Sequence, residues 1–97
     1  MVRSLVERRL SDVQSRLVHA RAELSVLDEQ LKIFTEIADD TRIRSLVSET
    51  PLAVRDHDDA SRTATAAARS RQALVETIAA LERRRDELLD QIVIDPR

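Results

Sequence analysis

The feature that most constrains this chain is a spacing. Val6, Leu10, Val13, Leu17, Ala20, Leu24, Leu27, Leu31, Phe34 and Ala38 recur at alternating steps of four and three residues, without a miss. An α-helix turns once every 3.6 residues, so this alternation draws all ten onto one seam of a single helix. A strand would need a period of two, and nothing in residues 6–38 supplies it. A seam that narrow needs a second helix to cover it.

The second helix is in the same chain. Ala60, Ala64, Ala67, Arg71, Leu74, Ile78, Leu81, Arg85, Leu88 and Ile92 repeat the same alternation. Composition agrees with an all-helical reading. Gly is absent, Pro occurs twice and Phe34 is the one aromatic residue, which leaves little from which to build sheet turns or a sandwich. Ninety-seven residues allow one domain at most.

Local signals give provisional boundaries. Ser4 with Glu7 has the form of a capping box at the start of the first helix. Arg3–Glu7, Arg8–Asp12 and Asp28–Lys32 are candidate ion pairs along its outer faces. After Ala38 the next seam positions are the polar Thr41 and Ser45, while Ile43, Leu46 and Val47 fall on another face. The expectation is a break of phase there, with Asp39, Asp40 and Thr41 able to cap a new turn. Pro51 disfavours helix at Thr50 and is read as the terminator, and 52–55 as a short loop. Asp56, Asp58 and Asp59 then precede the second helix, where acids complement its dipole, and Pro96 closes the chain. The predicted fold is an antiparallel two-helix coiled-coil hairpin, about 4–49 and 57–94 with a turn at about 50–56, dimerising into a four-helix bundle.

Pairing the seams so that residue numbers sum to about 105 gives every layer a partner, including Leu17–Leu88 and Leu24–Leu81. It sets Ala20 opposite Arg85, large against small, and Phe34 opposite Arg71, where a guanidinium can lie on the ring. Arg21 then faces Glu82, and Glu23 faces Arg84, on the two flanks of the Ala20–Arg85 layer. A slip of one heptad would lose both pairs and set Arg85 against Val13 or Leu27, so this polar layer is expected to fix the register.

Several function classes lose support. Sixteen basic against eighteen acidic residues, interspersed, give no field to hold a phosphate backbone, and there is no aromatic platform for single strands. Direct nucleic-acid binding is not expected. With no Cys there is no disulfide or thiolate metal site. No apolar run reaches the roughly 18 residues of a membrane span and no signal peptide is visible, so no membrane and a cytoplasmic location are expected. No cofactor site, metal site or catalytic constellation can be assembled, and the chain is read as non-enzymatic. His19 and His57 are too far apart to share a metal. The stretch of Ala60, Thr63, Ala64, Ala66, Ala67 and Ala68 reads as a thin end of the coil; the sharper alternative is a ligand cleft beside Arg62, Arg69 or Arg71.

What remains points to a protein partner. Ile43, Leu46, Val47, Leu52 and Val54 lie off the seam, as do Ile33, Ile37, Val75 and Leu89, and a lone hairpin would leave many of them wet. The alternative is that 41–54 folds back over its own hairpin. The candidate partner-binding set is Ile43, Leu46, Val47 and Leu52 with the acids Asp56, Asp58 and Asp59, and a homodimer is expected.

Two groups of residues carry resemblances. Asp56 and Asp59 with Ser61, or Asp58 with Ala60, resemble the acidic coiled-coil tip of the transcription factors that enter the RNA polymerase secondary channel. That resemblance implies carboxylates acting near catalytic Mg²⁺; it covers some ten residues, and the second domain of those factors is missing. Asp39 to Leu52, in an Arg-rich chain with one Lys, is similar to small coiled-coil proteins of actinobacteria. The cyclic-di-GMP-responsive anti-sigma hairpins have a similar shape. Their ligand motif of Glu, Ser, Arg, Gln and Asp maps here onto Arg21, Ser25, Asp28, Lys32 and Glu36, of which only Ser25 matches, so nucleotide binding is not implied. The combined expectation is a regulatory adaptor in or near the transcription machinery. The alternatives are a secondary-channel factor and a ligand-gated anti-sigma-like hairpin.

Overall fold

The computed structural model describes residues 2–94, and side chains from residue 3 to residue 93. Two helices account for nearly all of them: α1 over Val2–Ser48 and α2 over Pro51–Ile94. The chain is an antiparallel helical hairpin, and Glu49 and Thr50 alone connect the helices. Contacts divide it into two compact units, one made of residues 1–24 and 74–97, the other of 25–73. Each helix contributes a segment to both. Pro96 lies outside the described residues.

The turn is tighter than the sequence suggests, for a reason visible in its hydrogen bonds. Glu49 has φ 52°, in the left-handed region, and its N–H donates to Ser45 O at 3.1 Å. This is the single-bond left-handed cap that satisfies an orphan carbonyl at a helix end. Thr50 then caps the next helix: its Oγ1 accepts from Ala53 N at 3.1 Å, and its carbonyl accepts from Val54 N at 3.1 Å. Pro51 is the first residue of α2, where its fixed φ suits a helix and its missing N–H costs nothing. The expected loop at 52–55 is therefore helical, and Pro51 starts an element rather than ending one. Ser4 likewise sits inside α1 and does not cap it.

The tighter turn changes the register. In the unit of residues 25–73, Thr41 Oγ1 lies 3.4 Å from His57 Nδ1, and Arg71 pairs with Asp28. Both contacts place opposing residues at numbers summing to about 98, one heptad from the expected 105. Phe34 then lies level with Ala64, a large ring against a small neighbour, and Arg71 lies level with Leu27 and reaches Asp28 instead of Phe34. The seam here is half-buried, through Leu27, Leu31, Phe34 and Ala38 on α1 and Ala60, Ala64 and Ala67 on α2.

The other unit holds the tighter core. Val6, Val13, Leu17, Ala20, Ile78 and Leu88 are buried, with Leu10, Leu24, Leu74, Leu81 and Ile92 packed against them. Val6 is only 5% exposed. A sum near 105 would require a partner beyond the end of the chain, whereas a sum near 98 gives it Ile92. The same register levels Ala20 with Ile78 and Val13 with Arg85, the arrangement expected to be avoided. Arg85 accommodates it by turning its guanidinium aside to Asp86, at 3.1 Å.

Of the two flanking pairs expected, Arg21–Glu82 forms at 3.1 Å and Glu23–Arg84 does not. Arg84 turns to Glu87 in its own helix at 3.3 Å. Arg21–Glu82 survives the slip because side chains lean toward the N-terminus of their own helix, so in antiparallel helices these two lean toward each other. Among the local pairs, Arg3–Glu7 forms at 3.2 Å, while Asp12 pairs with Arg16 at 3.3 Å instead of Arg8. Asp28 is held by Arg71 and leaves Lys32.

Two outcomes are expected. In a chain otherwise free of Cys, Thr41→Cys with His57→Cys should form a disulfide under mild oxidation, while Thr41→Cys with Ala64→Cys, the pair demanded by a sum of about 105, should not. Mass spectrometry of the two oxidised variants reads the result. Glu49→Gly should raise stability by about 1 kcal/mol in denaturant melts, because Gly adopts the left-handed region without a Cβ penalty.

Candidate interaction surface at the turn

The seam does not lose phase after Ala38. It keeps its spacing and turns polar: Thr41, Ser45, Ala53 and His57 all occupy half-buried positions. Two of these hydroxyls are satisfied locally. Thr41 Oγ1 donates to Ala38 O at 3.0 Å and Ser45 Oγ to Arg42 O at 2.8 Å. Thr41 Oγ1 also lies 3.4 Å from His57 Nδ1, and the same nitrogen lies 3.5 Å from Ser61 Oγ. Asp39, Asp40 and Thr41 cap nothing, since α1 continues through them to Ser48.

Because the helix keeps its phase, the apolar residues of this stretch are left outside. Ile43, Leu46 and Val47, spaced i, i+3, i+4, share an outer face of α1, and Leu46 and Val47 are 66% and 79% exposed. Leu52 and Val54 are exposed in the first turn of α2. The segment 41–54 does not fold back over them, because all of it except Glu49 and Thr50 is helical. These five apolar side chains, three at the end of α1 and two at the start of α2, form an exposed apolar surface around the turn.

The acids occupy a different place from the one expected. Asp56, Asp58 and Asp59 lie in the second and third turns of α2 and neither cap it nor form the apex. The apex is Glu49–Thr50. Asp56 lines a small cleft of about 150 Å³ with Leu52, Arg44 and Ser48. Asp58 and Asp59 line a wider open cleft of about 520 Å³ with Val54, Arg55 and Arg62. Asp59 lies 3.9 Å from Arg62, and Asp40 is held by Arg44 at 2.9 Å. Leu52 and Asp56 are thus brought together, whereas Ile43 and Leu46 line neither cleft. Among the described residues no group of three or more His, Asp or Glu is arranged to hold a metal ion.

Compared with protein-family models, curated proteins and solved structures, the chain matches none. The function therefore has to be read from the surface itself. Among the described residues no helix is long and apolar enough to cross a membrane.

The placement of the acids has a measurable consequence. Past the first turn a carboxylate gains little from the helix dipole. Replacing Asp56, Asp58 and Asp59 together by Asn should shift unfolding free energy by no more than about 0.5 kcal/mol, whereas Thr50→Ala, which removes the cap, should cost about 1 kcal/mol. Parallel urea melts followed by circular dichroism compare the two.

Proposed function

We propose that this chain is a non-enzymatic protein-interaction module that docks a protein partner through the turn end of the hairpin. One observation carries the reading: Ile43, Leu46, Val47 and Leu52 are all more than half exposed around a turn whose backbone is fixed by caps at both helix ends. A rigid helix end loses little conformational entropy when it is covered, so its apolar side chains are available for binding. The neighbouring Asp56, Asp58 and Asp59 supply a charged rim, which contributes orientation and choice of partner more than affinity.

The setting we assign is regulatory, in the cytoplasm and near the transcription machinery, on the strength of the resemblances in the sequence. The secondary-channel reading needs acids at the apex, and here they lie one to two turns behind it, so docking through the apolar end is the reading we favour.

A capture experiment from the native host tests this. Wild-type chain should retain a specific protein that Leu46→Asp and Leu52→Asp both lose. Val18→Asp, an exposed apolar position in the other unit, should retain it. Equal capture by all four chains would remove the turn end from consideration.

A further inference from the structure

A second apolar surface lies in the same unit, away from the turn. Val26, Ile33 and Ile37 are 56%, 52% and 47% exposed, and their spacing sets them in one row beside the seam of α1. In the register observed here, the same side of the hairpin carries Thr63, Ala66, Ser70 and Ala73 on α2. With Gln30 between Val26 and Ile33, these make eight positions without a charge. The chain is 35% charged, so composition alone would put about three charges among them. The opposite side of this unit carries Asp28, Lys32, Asp39 and Arg42 on α1. The surface therefore pairs a ridge of branched side chains on one helix with a groove of small ones on the other.

We propose that this face binds a second copy of the same chain, with the ridge of each copy lying in the groove of the other. This inference shares with the proposed function only the premise that the chain works through its surfaces, and it concerns different residues. A two-fold contact requires a surface complementary to itself, and a ridge beside a matching groove meets that requirement. The geometry also selects the axis. A two-fold running along the helices sets α1 of one copy over α2 of the other, ridge on groove. A two-fold running across them would set ridge on ridge. The two turns therefore lie at the same end of the dimer, and Ile33 of one copy lies over Ala66 of the other.

The exposed area argues for a second copy. The chain exposes 7287 Å². A compact monomer of its mass exposes about 5,600 Å²; the excess of about 1,700 Å² is spread over the whole chain, and covering about half of it would match the ~800 Å² per partner of a standard interface. An intermittent partner would leave that surface wet for most of the time, whereas a second copy is present whenever the chain is.

Light scattering on the full chain at micromolar concentration should give twice the 11.0 kDa mass. The double variant Ile33→Asp, Ile37→Asp should run as a single chain, while Leu46→Asp stays dimeric even though it loses the partner at the turn. Because the chain has no Cys, a second measurement needs no disruptive change. An oxidised equimolar mixture of Ile33→Cys and Ala66→Cys chains should yield mainly the mixed cross-linked dimer. A single-chain mass for wild type up to about 100 µM would overturn the proposal. So would a dimer insensitive to the double Asp variant, or cross-linking dominated by Ile33→Cys to itself.

Discussion

The fold depends on a connection of two residues. A heptad seam is its own copy seven residues along, so apolar burial alone cannot choose among registers one heptad apart. The choice is made where the chain reverses. With Glu49 in the left-handed region and Thr50 already capping α2, no slack remains between the helices, and residues equidistant from the turn must lie level. The levels of Val6 with Ile92, of Ala20 with Ile78 and of Phe34 with Ala64 all follow from that reversal. Glu49 bears the conformational cost, since a side chain with a Cβ is less at ease there than Gly.

This constraint also explains which interactions give way. Arg85 lies level with Val13, and a guanidinium half-enclosed beside an apolar core is not a favourable layer. Its long stem lets the charged end leave the seam for Asp86, so apolar carbons remain inside and the charge stays near water. Arg71 does the same in the other unit by reaching Asp28. The charged seam residues accommodate the register; they do not define it. Exposed pairs such as Arg21–Glu82 contribute a fraction of a kcal/mol and span several residues, too weak and too long to outweigh the turn.

Much of this was legible in the sequence, and the part that was not has a physical cause. The all-helical hairpin, both seams and their buried members Leu17, Ile78 and Leu88 follow from spacing alone. The register does not, because Arg21–Glu82 is compatible with two alignments one heptad apart. The turn is less legible because Pro51 carries two meanings: it disfavours helix at the residue before it, yet it suits the first position of the next one. Thr50, with a hydroxyl placed to cap, is the signal that separates them. Thr41 and Ser45 suggested a change of phase, but hydroxyls bonded to Ala38 and Arg42 carbonyls can hold seam positions without one. Ile43, Leu46, Val47 and Leu52 are off the seam in the sequence and exposed in the structure. Because α2 starts at Pro51, Asp56, Asp58 and Asp59 lie past its first turn instead of before it.

The register has a consequence for surfaces as well as for the core. At a sum near 105 the small residues Thr63, Ala66, Ser70 and Ala73 would be level with α1 residues nearer the turn, and the row of Val26, Ile33 and Ile37 would stand beside Ala73 and Ala80 instead. At a sum near 98 the branched row and the middle of the small row are level, and Ile33 stands beside Ala66 rather than Ala73. The turn end and this face then divide the exposed apolar residues of the unit between two sites that do not share side chains. One is built on helix termini, whose caps fix its geometry. The other is built on helix interiors, where only the pairing of α1 with α2 can set ridge beside groove. A slip of register would change which residues meet across the second site, setting Ile33 beside Ala73 instead of Ala66, while leaving Ile43, Leu46 and Val47 as exposed as before.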